Sequence, residues 1–377
     1  MTYNIAVIAK LWALRVAFFC GLLAFALSNA HATALGTALG DLAANMQPGE
    51  FKVLNTNNFG GGAIFVPSGG DGGMQEYSDE ALRNPITKKI YMIGCVRATG
   101  GTGAYVCDNS SSEDAKWIEY DENNNSWKTM SATPFSLWPH SYDRAALDPA
   151  TGDYYYRVNL TDDIWRFRNG SWSTIPKVAK SGSCCDGIEY FPDLGGLVVP
   201  DQPGGQIHVY RPATNIWQTL PGPLPIGEFS FFTEYSAKHK LLFIGGGYLA
   251  PRVLLKMDAT GKVTRVADPP VDLEIRICGS VNTIDPVSGN LVVFSCNGNI
   301  YSYDPVSNAW AQHGTHSLVA LGTNLWTAAV PIPEHGVIFL ASYQGGGTGV
   351  VYLYKHSPGS VQLDTVPPAA PVNLKVK

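Results

Sequence analysis

The segment His140-Ser-Tyr-Asp143 carries the densest group of chemically active side chains in this chain of 377 residues. The imidazole and the phenol are two residues apart, so on an extended segment both point to the same side. Together with an arginine such as Arg276 or Arg97, a His/Tyr pair supplies what a polysaccharide lyase needs. The arginine neutralises a uronate carboxylate, while His140 or Tyr142 removes a proton and protonates the leaving oxygen. The alternative is structural, with His140 and Tyr142 hydrogen-bonded between neighbouring elements and Asp143 capping a turn.

A repeated sequence pattern surrounds these side chains. Each copy has an alternating strand that ends in a tight turn, a second strand, a third ending in Tyr, and a short fourth that carries Trp. The last two features occur at residues 120–127, 210–217 and 303–310, with a shortened copy at 167–172 and a degraded one at 354–361. The Trp positions, or their Val substitutes, recur every 45 to 51 residues. A fixed period of this length with strand patterning inside it predicts a repeat architecture.

The turns between the first two strands support this interpretation. Residues 148–152 and 285–289 read Asp-Pro-x-x-Gly, in which Pro presets φ and Gly permits a positive φ. Six four-stranded antiparallel units predict an all-β protein, a β-propeller with six blades or, alternatively, seven. Segment 49–54 is a further strand, which either closes the ring by pairing with the last blade or belongs to a degraded seventh. The six units are expected near residues 71–135, 136–177, 178–222, 223–270, 271–316 and 317–364.

The N-terminus has the composition of a secretory signal peptide. Lys10 and Arg15 precede an apolar run at 16–27, and Ala30-His-Ala32 offers small residues for cleavage. The alternative is an uncleaved membrane anchor, for which the run is short. The expected location is therefore secreted or periplasmic. The predicted organisation is a signal peptide at 1–32, an N-terminal segment at 33–70, a propeller at 71–364 and a Pro-rich tail at 365–377.

Charge and composition narrow the classes of partner. The formal net charge is −5, and it becomes −7 once Lys10 and Arg15 are removed with the signal peptide. No Lys/Arg-rich stretch is present, which argues against a nucleic-acid partner. No later segment is long and apolar enough to cross a bilayer, so no membrane association is expected after cleavage. We expect a monomer without a cofactor or metal.

Six cysteines follow the signal peptide, and an even number in an exported protein indicates disulfides. One expected pair flanks a long loop, and a second brackets an adjacent pair of strands. The remaining two are neighbours in sequence and form either a vicinal disulfide or free thiols. The spacings match no zinc-binding signature. The three pairs, in this order, are Cys95 with Cys107, Cys278 with Cys296, and Cys184 with Cys185.

The repeat resembles the Kelch family and, more broadly, the central propeller of galactose-oxidase-like proteins. A Kelch repeat has Gly-Gly after its second strand, which residues 241–247 match and residues 90–95 match in part, and the Tyr and Trp already described. The resemblance implies a propeller but does not choose between an enzyme and a binding platform. Copper-radical oxidases of the galactose oxidase type need two Tyr and two His as ligands, and such motifs are not evident.

In a fold of this kind, the connections that lead into each first strand lie on one face of the central channel. The connections between second and third strands lie there too. Aromatic side chains at these positions are predicted to stack on sugar rings, although packing between blades is an equal alternative. We therefore predict an exported propeller that binds a glycan or cell-surface polymer; the alternatives are the lyase and a protein-interaction scaffold. The candidate ligand-binding residues are Arg97, Tyr105, Trp138, Asp143, Asp186, Glu228, Tyr248, Arg252, Trp326 and Tyr343.

Overall fold

Twenty-four strands and one α-helix make up the part of the chain that the computed structural model describes. The helix α1 (Ala38–Ala44) and the first strand β1 (Phe51–Leu54) precede the repeats. Thr37 caps the helix, because its hydroxyl oxygen accepts a hydrogen bond from Gly40 N at 3.1 Å. The described residues are 36–60, 80–95, 115–135, 137, 143–158, 161, 163–178, 187–201, 205–222, 224–248, 252–275, 279–318, 326–345 and 348–357.

The strands form six four-stranded antiparallel blades, and the chain enters each blade at its innermost strand. The first blade comprises β2 (Leu82–Asn84), β3 (Lys89–Cys95), β4 (Ala115–Asp121) and β5 (Ser126–Thr129). The second comprises β6 (Ala145–Leu147), β7 (Tyr154–Arg157), β8 (Ile164–Arg168) and β9 (Ser171–Thr174). The third comprises β10 (Glu189–Phe191), β11 (Gly196–Asp201), β12 (Gln206–Arg211) and β13 (Ile216–Leu220).

The remaining three blades complete the ring. The fourth comprises β14 (Glu228–Ser236), β15 (Leu241–Tyr248), β16 (Leu254–Asp258) and β17 (Val263–Arg265). The fifth comprises β18 (Val281–Ile284), β19 (Leu291–Phe294), β20 (Asn299–Asp304) and β21 (Ala309–Thr315). The sixth comprises β22 (Thr327–Ile332), β23 (Val337–Gly345) and β24 (Thr348–Tyr354), with β1 as its outer strand.

Contacts between innermost strands run in a closed cycle, β2 to β6, β10, β14, β18, β22 and back to β2. Six clusters of buried apolar side chains accompany this cycle, one between each pair of neighbouring blades. The six-bladed propeller predicted from the sequence is therefore confirmed, and the seven-bladed alternative is excluded. Radial stacking buries both faces of every sheet, which leaves only the outer strands as edges.

The N-terminal strand closes the ring. β1 pairs antiparallel with β24, with Phe51 opposite Tyr354 and Leu54 opposite Val351. This is the first of the two arrangements left open for segment 49–54. The outer position that the repeat pattern assigns to the degraded copy at 354–361 is taken by β1, which lies next to β24. The chain thus joins its two ends in one sheet.

The repeated Tyr and Trp form one recurring cross-strand unit. Tyr210 pairs with Trp217 across strands three and four, and its hydroxyl donates a hydrogen bond to Asn215 Oδ1 at 2.7 Å. Asn215 is in the left-handed region with φ 58°, which the turn requires. The units at Tyr120 and Tyr303 repeat this hydroxyl-to-Asn hydrogen bond at 2.9 and 2.8 Å. The spacing in the sequence therefore encodes a turn as well as a packing position.

Each of these Trp side chains also binds the preceding blade. The indole N–H of Trp217 donates to Pro176 O at 2.7 Å, and that of Trp310 donates to Ala267 O at 3.0 Å. Trp127 donates to Thr56 Oγ1 at 3.1 Å. All three acceptors lie two residues beyond the outer strand of the blade before. In the shortened second copy, Trp172 Nε1 has no partner among the described residues, and its ring packs against other aromatic rings instead.

A buried carboxylate fastens α1 beneath the ring. Glu122 accepts hydrogen bonds from Thr37 Oγ1 at 2.7 Å and Arg83 at 2.6 Å, and its Oε1 lies 2.9 Å from His335 Nε2. Arg83 also pairs with Glu334. Despite opposing desolvation, these partners lower the pKa of Glu122 to about 2. The network joins the N-terminal segment, the first blade and the sixth blade, which the sequence patterns do not predict.

A second polar group lies where the fifth and sixth blades meet. The His313 and His356 rings are 4.5 Å apart, His313 Nε2 lies 2.7 Å from Ser302 Oγ, and Tyr354 Oη lies 3.2 Å from His356 Nδ1. Burial, reinforced by the neighbouring His313 and opposed by Asp285, lowers the pKa of His356 to about 4. The folded protein thus keeps the His356 imidazole neutral at neutral pH, two residues after β24, the strand with which β1 pairs.

Replacing Asn215 tests the recurring turn. Asn215→Ala should lower the free energy of unfolding more than Asn215→Gly, by about 1 kcal/mol, since alanine in the left-handed region is strained and glycine is not. Both variants lose the bond from Tyr210 and should be less stable than the parent. Urea unfolding curves measure the difference, and an alanine variant as stable as the parent would contradict this account.

Acid should weaken the junction between the fifth and sixth blades. The unfolded chain protonates His356 near its ordinary pKa of about 6.5, whereas the folded chain does so near 4, so stability falls as the pH drops through this window. His356→Gln should flatten the dependence of the melting temperature on pH between 6.5 and 4. Identical pH slopes for the parent and this variant would show that His356 does not carry the effect.

Candidate functional site at the channel face

The channel face is the face at which each innermost strand begins and each second strand ends. Many residues that connect strands on this face lie outside the described ranges. They include the proposed lyase residues, so the structure does not test that hypothesis. The predicted site residues outside the described ranges are His140, Tyr142, Arg276, Arg97, Tyr105, Trp138 and Asp186, and of Glu228 the backbone alone is described.

Two predicted aromatic residues are packed between blades. The Trp326 and Tyr343 rings stack on each other with centroids 5.4 Å apart and planes 19° apart. Both are buried, and both belong to the apolar cluster between the sixth and first blades. Their faces are therefore occupied by protein, which agrees with the packing alternative rather than with a sugar platform.

Asp143 ties the second blade to the fourth. Its Oδ2 accepts a hydrogen bond from Thr233 Oγ1 at 2.6 Å and another from Thr233 N, on β14. Its backbone oxygen accepts Ile188 N at 2.8 Å, at the start of the third blade. Gly187 lies beneath this tie, where a Cβ would come within 2.6 Å of Asp143 Oδ2. Asp143 thus connects three blades, the second to the fourth through its carboxylate and the second to the third through its backbone oxygen.

The buried charged groups beneath this face concentrate on the second and third blades. Arg144 and Arg157 are both fully buried there, with Arg157 N donating to Arg144 O at 2.9 Å. In the third blade, His208 Nδ1 lies 3.0 Å from Thr219 Oγ1 and its Nε2 lies 3.6 Å from Asp201. These groups are embedded in the blades, so they offer little surface to a ligand.

Glu189 lies on innermost strand β10, and no sequence pattern singles it out. Its carboxyl oxygen accepts Tyr190 N at 2.6 Å, and Tyr235 N also donates to the carboxyl. Burial outweighs these donors and raises the pKa of Glu189 to about 8, so the neutral acid predominates at pH 7. A glutamate in an ordinary three-residue strand carries no sequence signal for such a shift.

Glycines allow three backbone segments to lie close together at the channel-face end of the fourth blade. A Cβ on Gly227 would lie 2.2 Å from Tyr248 O, and one on Gly246 would lie 2.8 Å from Leu273 O. The innermost strand, the end of β15 and the connection to the fifth blade therefore meet at this point. The Gly-Gly-Gly at 245–247 lies within β15 and permits this close approach, with positive φ at the second and third positions.

The innermost strand is strained at the same place. Phe229 and Ser230 have φ of 60° and 58°, and the register of β14 against β15 shifts between Glu228 and Phe231. Consecutive left-handed residues that are not glycine are costly, and such strain concentrates at binding and catalytic sites. Ser230 O accepts Ile275 N at 3.2 Å, which binds this bulge to the next blade. The fourth blade is thus shaped differently from its neighbours.

Tyr248 emerges from this junction into solvent. The residue is 37% exposed, and no other Phe, Tyr or Trp in the described ranges is as exposed. Arg252 lies across the same hairpin loop, whose base is marked by the hydrogen bond from Gly246 N to Val253 O at 2.9 Å. The Arg252 guanidinium Nε donates to Asp272 Oδ1 at 2.7 Å. An exposed aromatic residue and an exposed ion pair therefore stand at the two ends of the connection between β15 and β16.

Metal ligands do not cluster in the described ranges, where no set of three or more His, Cys, Asp and Glu side chains is arranged to hold a metal ion. No helix in that part of the chain is both long and apolar enough to traverse a bilayer. Cys296 is disulfide-bonded. Its pairing with Cys278 stays a prediction, as do the pairs Cys95 with Cys107 and Cys184 with Cys185, since the partners lie outside the described residues.

Comparison with known proteins places the chain by fold. No family model matches it, and no curated protein sequence matches it. An auxiliary nutrient binding protein from Bacteroides ovatus superposes with a TM-score of 0.54 at 11% identity, covering 82% of this chain and 77% of that one. A protein of unknown function from Bacteroides thetaiotaomicron gives 0.52 at 10% identity, covering 81% and 75%.

A galactose-oxidase-like protein is also among the similar structures. It is a fungal alcohol oxidase of the AA5 family in complex with copper, with a TM-score of 0.49 at 11% identity over 82% of this chain and 77% of that one. Identities this low show a shared fold and nothing more. The strand topology of the chain itself makes it a six-bladed β-propeller, and the narrower resemblance to Kelch repeats rests on its Gly, Tyr and Trp positions alone.

The tie between Asp143 and Thr233 can be tested with two matched variants. Thr233→Val removes one donor from a buried carboxylate and should lower the free energy of unfolding by about 1–3 kcal/mol. Thr283→Val is the control, since Thr283 is equally buried on innermost strand β18 and its hydroxyl has no partner among the described residues. Chemical denaturation should show that Thr283→Val leaves the free energy of unfolding nearly unchanged. Equal losses of stability in the two variants would disprove the role given to the hydrogen bonds between Asp143 and Thr233.

Proposed function

We propose that this protein is exported and binds a saccharide on the channel face, with Tyr248 of the fourth blade as the stacking surface. The observation that carries the proposal is the exposure of Tyr248 at one end of the β15–β16 connection, whose other end carries the Arg252–Asp272 pair. An aromatic face binds the apolar side of a sugar ring, while planar charged groups nearby donate to and accept from its hydroxyls.

The surrounding backbone supports the same proposal. The close approach of backbone segments at Gly227 and Gly246, together with the bulge at Phe229 and Ser230, fixes the end of β15 that carries Tyr248. A ring held on a rigid base loses little freedom when a ligand stacks on it, which favours binding. Exposed aromatic surface adds nothing to the apolar area that folding buries, so a ligand explains the exposed part of this ring better than packing does.

The lyase and the scaffold remain alternatives. The lyase depends on His140, Tyr142 and Arg276, and the scaffold depends on surfaces that no described feature favours. The propeller from Bacteroides ovatus is named a nutrient binding protein, a description compatible with ligand capture by this fold. At 11% identity that likeness supports the fold alone, so the proposal depends on Tyr248.

Binding to immobilised oligosaccharides provides the test. The full chain, recovered after export, is applied to an array of cello-, xylo-, manno- and galacturono-oligosaccharides, and dissociation constants are then measured by calorimetry for those retained. Tyr248→Ala should weaken binding about fivefold, because loss of one stacked ring costs about 1 kcal/mol.

Ile86→Ala is the control variant for this experiment. Ile86 is also an exposed apolar residue, but it lies in the turn between β2 and β3, on the opposite face. Its substitution should leave binding unchanged. Retention of full affinity by Tyr248→Ala would reject the proposed site, and an increase in unsaturated-product absorbance during the incubation would support the lyase instead.

A further inference from the structure

We infer that Asp272 restricts this site to uncharged saccharides by holding the guanidinium of Arg252. The inference rests on the proposed function and adds the class of ligand to it. Arg252 Nε and Asp272 Oδ1 are 2.7 Å apart, a charge-assisted hydrogen bond that crosses from the loop of the fourth blade to the connection that leads to the fifth.

The pair sits beside the proposed stacking ring. Tyr248 ends β15 and Arg252 precedes β16, so the two residues flank the same short loop on the channel face. Asp272 precedes Glu274, whose backbone lies against Gly246 of the same hairpin. A sugar ring stacked on Tyr248 would therefore lie within reach of both members of the pair.

The charges at this position disfavour an anionic ligand. Among the described side chains of these segments, the exposed charges are the Asp272 carboxylate and the Arg252 guanidinium, whereas Glu274 is buried. A uronate or sulfate would have to compete with Asp272 for Arg252, and it would be repelled by the Asp272 carboxylate. A neutral sugar meets no such opposition, because its hydroxyls donate to Asp272 and accept from Arg252 without breaking the pair.

The ion pair contributes little to folding, which makes it a suitable point for substitution. The Arg252 and Asp272 side chains are 61% and 43% exposed. Exposed pairs of this kind add little to stability because solvent screens them and because two long side chains must be ordered. The pair is therefore better explained by what it does to a ligand than by what it does for the fold.

The test compares a neutral and an anionic probe of equal length, cellohexaose and hexagalacturonate. The parent protein should bind cellohexaose at least about tenfold more tightly than hexagalacturonate. Asp272→Asn keeps the shape of the side chain but frees the guanidinium, so it should raise affinity for hexagalacturonate about tenfold, in a manner that weakens with added NaCl. Binding of cellohexaose should not change.

Two further variants isolate the cause. Asp268→Asn is the matched control, since Asp268 forms a similarly exposed pair with Arg265 at 2.7 Å just beyond outer strand β17. It should leave both affinities unchanged. Arg252→Gln in the Asp272→Asn background should abolish the gain for hexagalacturonate, because the freed cation is then absent.

The outcomes separate this inference from the proposed function. If Asp272→Asn gives no gain for hexagalacturonate, or if the parent prefers that probe, the inference is overturned while a loss of binding in Tyr248→Ala still upholds the site. If the parent binds neither probe, or if Tyr248→Ala binds both normally, the proposed site fails and the inference fails with it. A gain of equal size in Asp268→Asn would show a general charge effect and would also overturn the inference.

Discussion

The hydrogen bond from an outer-strand Trp to the preceding blade is the interaction on which the ring depends. Outer strands are sheet edges, and they are where radially packed blades splay apart unless something holds them. In three blades the indole N–H reaches a residue two positions beyond the previous outer strand, and the Tyr–Asn turn fixes the angle of the indole. Because the ring is closed by β1, the first blade needs its acceptor from the N-terminal segment, and Thr56 supplies it. The same few residues thus set blade geometry, spacing between blades and closure of the ring.

This arrangement divides the molecule into two unlike faces. The turns between first and second strands and between third and fourth strands carry Asp, Asn and Gly in specific backbone conformations, as at Asp285, where the carboxylate accepts Ser288 N and Oγ at 2.8 and 2.6 Å. The Asp, Asn and Gly residues of these turns stabilise the blades. The channel face carries the less regular connections, and its described floor is built from ties such as Asp143 with Thr233. Longer and more varied loops are tolerated on that face because the opposite turns already determine the fold.

The fourth blade combines both roles. Its Gly-Gly-Gly allows three backbone segments to approach more closely than side chains would permit, and the bulge at Phe229 and Ser230 adds local strain. The fourth blade can accommodate the free-energy cost of this backbone strain, because an apolar cluster packs against each of its two faces. The strained backbone fixes the position of Tyr248 at the end of β15 and keeps Arg252 close to Asp272. The proposed binding surface at this junction therefore depends on the backbone of the blade as much as on its side chains.

The sequence by itself predicted four-stranded antiparallel units, a propeller of six blades with seven as the alternative, and the recurring Tyr and Trp positions; the structure selected six blades. These predictions follow from strands with alternating apolar residues, from turn-forming residues and from a repeat of fixed length. Each of these features can be recognised from the order of residues along the chain. It also indicated Tyr248 and Arg252 as residues of the channel face. Only the tertiary structure decided that Trp326 and Tyr343 are packed while Tyr248 is exposed, and that Asp143 bonds to Thr233, 90 residues away. The Glu122 network, α1 and the neutral Glu189 likewise had no sequence signal. Burial and long-range pairing depend on which blades become neighbours, and a linear pattern does not specify the depth at which a side chain comes to lie.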